Sequence, residues 1–261
     1  MEYPKDCILE KALIFDTHAH YDDDRFSENL DELMCSMQQN GVEKIVTCGC
    51  DGESSKAALA IAEKYPFVYA AVGIHPCNID SDTTIYELRQ LANHEKCVAI
   101  GEIGLDYYWE SENKVEQKEI FKAQIDLAKE LNLPVLVHDR EAHADTIEIL
   151  LKTKPRGVLH CFSGSVESAK LITDIGMYIG VGGVITFKNA KKLPEVVASI
   201  PDDKLLLETD CPYLAPEPYR GKLCHSGMIS LTAKKIAEIR GETRENILKI
   251  CNKNAKELFG L

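Results

Sequence analysis

The chain has 261 residues, 45% of them hydrophobic and 28% charged, a balance that suits one large folded core and excludes a disordered chain. Its 30 basic and 42 acidic residues give a net charge of −12, which argues against an extended basic face gripping duplex nucleic acid. A polyanion held at one local site stays compatible with that charge, because two bound divalent ions would add positive charge there.

The first ten residues, Met1 to Glu10, mix Glu2, Lys5, Asp6 and Glu10 with scattered apolar side chains and hold no apolar signal-peptide core. No apolar run approaches the roughly 18 residues of a membrane-spanning helix. A cytoplasmic protein with no membrane contact is therefore expected. From there the chain alternates short β-branched runs with amphipathic helical stretches. The expected strands are Ala12–Asp16, Lys44–Cys48, Phe67–Gly73, Cys97–Glu102, Pro134–His138, Gly157–Cys161, Met177–Gly182 and Lys204–Glu208. Between them lie helices such as Ser111–Leu131, with Val115, Ile120, Phe121, Ile125, Leu127 and Ala128 as its apolar stripe. The tail, Ser230–Phe259, reads as two further helices covering the outside.

Eight strictly alternating β and α units imply a parallel sheet and permit closure into an α/β fold of the (β/α)8 TIM-barrel type. An open doubly wound sheet is the architectural alternative. No linker rich in Pro, Gly or Ser divides the chain, so residues 1–261 are expected to form a single domain, monomeric and with no obligate protein partner. The ten cysteines include no Cys-x-x-Cys and sit mainly in apolar stretches, which fits reduced core thiols better than a disulfide framework or a zinc knuckle.

In a barrel enzyme the site gathers where the strands end at their C-terminal side. The first strand leads into Asp16-Thr17-His18-Ala19-His20, where residues two apart can point to one face. The third ends in Gly73-Ile74-His75, the fourth in Gly101-Glu102-Ile103-Gly104-Leu105-Asp106, and the fifth in His138-Asp139-Arg140. The sixth ends in His160-Cys161-Phe162 and the eighth in Glu208-Thr209-Asp210. Any one of these is an ordinary strand end; together they deliver His18, His20, Glu102, His138, His160 and Asp210 to one rim. A buried Glu102 would be costly unless paired or bound to a cation. Imidazoles with carboxylates suit zinc, manganese or iron, and a bridging carboxylate also accommodates magnesium. Two divalent ions at such a site activate a water for hydrolysis, with Glu102 as the natural bridge and Asp210 as ligand and proton acceptor. His94 and His143, in helical or loop stretches, read as solvated.

At this point the sequence resembles the TatD family of metal-dependent deoxyribonucleases. The matching stretches are Phe15–His20, Gly101–Trp109, Pro134–Arg140, His160–Ser165, Gly180–Lys188 and Leu207–Leu214. The resemblance implies a barrel with two divalent ions (magnesium, manganese or zinc) hydrolysing phosphodiester bonds in DNA, in the manner of a 3′–5′ exonuclease on single strands or ends. Carried over by position, His18, His20 and Asp210 would hold one ion and His138 and His160 the other, with Glu102 between them. Arg140, Arg220 and His75 are the expected substrate contacts; Lys188 and Lys222 read as surface charges, and Asp16 as a partner orienting a histidine. Tyr107, Tyr108 and Trp109 offer faces for an unpaired base or for packing. The stretch Leu223–Gly227 departs from the Arg-Asn-Glu-Pro usual in the family, with His225 in place of the amide. Competing readings are an amide or lactone hydrolase, whose ions are often bridged by a modified lysine where Glu102 stands, a D-aminoacyl-tRNA ester hydrolase, and a purely structural metal site.

Overall fold

The computed structural model describes residues 13–261. Ala12, Cys7 and the stretch Met1–Glu10, on which the expectations above touched, lie outside the described residues. Eight parallel strands run in the order β1 (Ile14–Ala19), β2 (Val42–Cys48), β3 (Val68–Val72), β4 (Cys97–Asp106), β5 (Val135–Arg140), β6 (Gly157–Leu159), β7 (Tyr178–Val181) and β8 (Leu205–Leu207). A parallel bridge between Ala19 and Cys211 brings the last strand's exit to the first. Around that seam the Asp210 N–H donates to the His18 carbonyl and the His20 N–H to the Cys211 carbonyl. The result is a nearly closed barrel, and the open-sheet alternative is excluded.

Nine helices ring it among the described residues: α1 (Leu30–Gln39), α2 (Gly52–Lys64), α3 (Ile85–Ala92), α4 (Lys114–Glu130), α5 (His143–Thr153), α6 (Val166–Asp174), α7 (Leu193–Ser199), α8 (Ile229–Arg240) and α9 (Arg244–Phe259). None is long and apolar enough to cross a membrane. Because helices cover the sheet outside and side chains fill it inside, β4 is buried along its whole length. One buried cluster takes a residue from every strand (Phe15, Val46, Ala71, Ala99, Leu136, Val158, Tyr178 and Leu206) together with Leu258 and Phe259 of α9. Phe259 stacks on Phe15 with ring centroids 5.6 Å apart. The tail therefore does more than cover the outside: the end of α9 packs into the interior cluster, and Asn254 donates to the Asp202 and Leu205 carbonyls beside the start of β8.

Three strands run past the C-terminal ends that their apolar patterns suggest, β5 reaching Arg140 among them. β1 continues to Ala19 and β4 to Asp106, because polar residues that point into a barrel mouth still complete the ladder. Both strands are irregular where they matter. Between Asp16 and Ala19, β1 spends three steps against two on β2, and β4 does the same between Ile100 and Ile103 against β5. Such an extra residue bends the strand and re-aims side chains; here the irregular stretches hold His18 and Glu102. Gly104, at φ +147, lets β4 press against β5, since a Cβ there would lie 2.0 Å from the His138 carbonyl oxygen.

α4 corrects another expectation. Val115 is 65% exposed, and the buried face instead carries Gln117 and Gln124. Gln124 accepts from the Ile74 N–H at 2.7 Å and donates to the Ile74 carbonyl at 3.0 Å. Gln117 does the same for the main chain of Asp106, at 2.8 and 3.0 Å. These amides spend their hydrogen bonds fixing the backbone of two strand exits, which is why polar residues sit in an apolar stripe.

Candidate metal centre

The exits of β1, β3, β4, β5, β6 and β8 surround a cavity of about 1200 Å³. His20, His75, Glu102, His138, Arg140, His160 and Asp210 line it, with His18 fully buried behind His20. Glu102 stands at the centre, 4% exposed. Its Oε1 lies 2.8 Å from His138 Nδ1 and 2.9 Å from His160 Nε2. Its Oε2 lies 3.3 Å from His18 Nε2 and 3.4 Å from His20 Nε2. Asp210 Oδ1 closes the second group, 3.8 Å from His18 Nε2 and 3.4 Å from His20 Nε2. Asp210 (φ +59) and Cys161 (φ +45) both adopt the left-handed conformation that non-glycine residues avoid, turning the chain sharply at these two strand exits.

Hydrogen bonding fixes which ring nitrogens face inward as lone pairs. The Cys48 carbonyl can only accept, so His20 Nδ1, 3.1 Å away, is the N–H and His20 Nε2 carries the lone pair. Asp106 accepts from His138 Nε2 at 3.1 Å, leaving Nδ1 as that ring's inward donor atom. His18 Nε2 faces His20 Nε2 at 3.2 Å, and His138 Nδ1 faces His160 Nε2 at 3.3 Å. Four imidazole nitrogens and two carboxylates thus converge with few protons to share. The outer nitrogens of His18 and His160 are buried with no hydrogen-bond partner. A set of electron-pair donors turned inward in this way fits divalent cations.

With no ion bound, the carboxylates of this centre draw protons onto the rings instead. Burial pulls His138 down, but the hydrogen bonds and charges of Asp106 and Glu102 outweigh it and lift the ring to about 9. Burial pushes Glu102 up, yet the surrounding imidazoles, His160 first, and the bond to His138 hold it well below the usual range. His18 is drawn down to about 4 by burial and by neighbouring His160. The field that keeps a proton on His138 is the field that attracts a cation.

Around this centre several expectations change. Asp16 orients main chain and no imidazole: Oδ1 accepts from the Thr209 N–H at 3.0 Å and the His18 N–H at 3.3 Å, and Oδ2 accepts from the hydroxyls of Thr209 and Ser226 at 2.6 and 2.7 Å. Arg220 lies over the Phe187 ring, 4.4 Å from its centroid, and is not among the cavity's lining residues. Lys188, Lys222 and His225 are not lining residues either; His225 is 2% exposed. Arg140 does line the cavity, its guanidinium 4.2 Å from the Tyr108 ring centroid and 5.4 Å from that of Trp109. Trp109 faces the cavity and is 64% exposed, whereas Tyr107 packs against the core and donates to Asp145. His94 pairs with Glu63 at the surface, and His143, also partly exposed, bonds Asp139, with its Nε2 buried and its ring edge-on to Phe162.

Sequence reading missed Lys191 and Lys192 at the mouth, Asp106 behind His138, and Glu208 behind His160 at 3.9 Å. Glu208 is fully buried, and burial pushes its carboxyl up to about 7. A carboxylate two residues before Asp210 was the available signal. The cysteines also divide. All nine among the described residues are free thiols, but Cys50, Cys77 and Cys161 line the cavity while Cys35 is exposed, leaving Cys48, Cys97, Cys211, Cys224 and Cys251 as the buried set.

The model of the family described as TatD related DNase matches residues 15–260. A Bacillus subtilis (strain 168) protein named as an uncharacterized metal-dependent hydrolase, YabD, is 44% identical over 252 residues, covering 95% of this chain and 99% of its own. The crystal structure of YjjV, a TatD homologue from Escherichia coli K12, superposes with a TM-score of 0.90 at 33% identity, over 96% of this chain and 99% of that one. A hydrolase TatD family protein from Entamoeba histolytica shares the fold with a TM-score of 0.85 at 23% identity, over 94% and 97% of the two chains.

Proposed function

The chain belongs to the TatD related DNase family, and from that premise we propose that it is a divalent-metal-dependent hydrolase cleaving phosphodiester bonds in DNA, at single strands or ends. The observation that carries the reading is the division of Glu102: one carboxylate oxygen faces His138 and His160, the other faces His18 and His20. On this reading His18, His20 and Asp210 hold one ion, His138 and His160 the other, and Glu102 serves both. The ions would supply an activated water and charge to stabilise the attacked phosphate.

The protein's own groups do the rest. Burial pushes Asp210 up, but its bond to His20 and the charges of His160, His20 and His18 hold it below the usual carboxylate range, so it is ionised and able to accept a proton. Arg140, Lys191 and Lys192 place positive charge at the mouth of a chain whose net charge is −12, which suits a local grip on phosphate over an extended one. The exposed face of Trp109 suits an unpaired base.

The test is cleavage of a 5′-labelled single-stranded oligonucleotide with manganese, magnesium or zinc, wild type beside Glu102→Ala and Asp210→Ala. Cleavage by the wild type, with losses of about 10³-fold or more in both variants, is expected. An intact strand with every metal sinks the nuclease reading; release of an amino acid from D-aminoacyl-tRNA, or opening of a cyclic amide or lactone, would then replace it.

A further inference from the structure

By distance alone His75 belongs with the ligands. Its Nε2 lies 3.6 Å from Glu102 Oε1, its ring centroid lies 4.5 Å from that of His138, and His75, Glu102 and His138 form a group close enough to hold an ion. The hydrogen bonding of the ring points the other way. The Cys77 N–H donates to His75 Nδ1 at 3.1 Å. A backbone N–H has only a proton to give, so Nδ1 is the lone pair and Nε2 holds the hydrogen. This is the reverse of His20, whose outward nitrogen donates to a carbonyl and whose inward nitrogen is the lone pair. A nitrogen that carries its hydrogen cannot ligate a metal.

The main chain that carries the ring is also fixed. The backbone N–H of His75 donates to the Cys50 carbonyl at 2.8 Å, and Gln124 clamps the main chain of the preceding residue. Moving the hydrogen to Nδ1, to leave a lone pair facing inward, would place an N–H against the Cys77 N–H.

We propose that His75 is a neutral hydrogen-bond donor aimed at the scissile group of the substrate, and that it is a catalytic residue and not a metal ligand. The inference rests on the hydrolase reading above. As a phosphodiester is attacked, charge gathers on its non-bridging oxygens, and a fixed N–H beside the Oε1 side of Glu102 meets that charge without reorganising. The proton stays on Nε2 throughout, so no proton transfer through this residue is needed.

Three measurements on the manganese- or zinc-loaded protein decide it. Metal content after dialysis should be unchanged in His75→Ala and reduced in His138→Ala. Nitrogen-15 spectra of the zinc form should place the hydrogen of His75 on Nε2, assigned by the signal lost in His75→Gln. Turnover of bis(p-nitrophenyl) phosphate should fall about 10²–10³-fold in kcat for His75→Ala with little change in KM, and His75→Gln, which keeps an N–H, should recover part of it. Loss of an ion in His75→Ala, a hydrogen found on Nδ1, or full turnover with both ions retained would each overturn the donor role alone. A wild type that carries its ions and cleaves no phosphodiester overturns the phosphodiesterase reading and the donor role together.

Discussion

The two halves of the centre are supported differently. Where β1 meets β8, neutral main chain backs the imidazoles: His20 donates to the Cys48 carbonyl, and Asp16 holds the N–H groups of His18 and Thr209 and touches no ring. Where β5 and β6 lie, a carboxylate does that work for one ring: Asp106 accepts from His138, while Glu208 stands 3.9 Å from His160 without a hydrogen bond to it. A carboxylate behind an imidazole makes its inward nitrogen more basic. The difference teaches that imidazoles gathered at one rim can be backed unequally, by residues outside the converging set.

The largest test of that contrast is Glu208 in the metal-free protein. Its folded-state value, about 7, lies above the ordinary 4.5, so the folded protein binds this proton more tightly than the unfolded chain does. The stabilisation is complete below about pH 4.5 and is lost as pH rises towards 7, roughly 3 kcal/mol across that window for a fully buried group. Chelated wild type should therefore lose stability over this range in urea titrations relative to Glu208→Gln. Parallel pH profiles for the two proteins would break the assignment of a buried charge to this half.

Next in size, Asp106→Asn should weaken one of two bound ions by about 10–100-fold and leave the other nearly unchanged. Calorimetric titration with manganese separates the two events. Equal weakening of both would show that the halves act as one unit.

The smallest effect lies outside both halves. Arg140→Ala should raise KM for an oligonucleotide about 10-fold and flatten its dependence on salt, with metal content unchanged. A change in metal content would mean that the rim and the centre are not separable.

How much of this was legible beforehand depends on what a side chain does. The convergence of six polar residues could be read from sequence because each follows an apolar strand, and strand ends share one rim. Asp106 escaped because a carboxylate behind a ligand has no spacing of its own and is recognisable only once the ladder aligns Gly104 with His138, whereas Glu208 offered its place two residues before Asp210. Lys191 and Lys192 escaped because the segment after β7 turns back over the mouth, where sequence suggested only that Lys188 lay near the surface. Val115 fits the apolar stripe of its helix and Gln117 and Gln124 do not, because helical period alone does not reveal backbone groups waiting for a partner.

The seam between Ala19 and Cys211 has a consequence for how the molecule is made. A nascent chain emerges from its N-terminus. His18 and His20 are among the first of these residues to leave the ribosome, and Asp210 is the last. Glu102, His138 and His160 are all translated in between, while β1 still lacks its neighbour at the seam and presents an unpaired sheet edge. Translation paused before Asp210 would leave that edge exposed to pairing with a neighbouring chain.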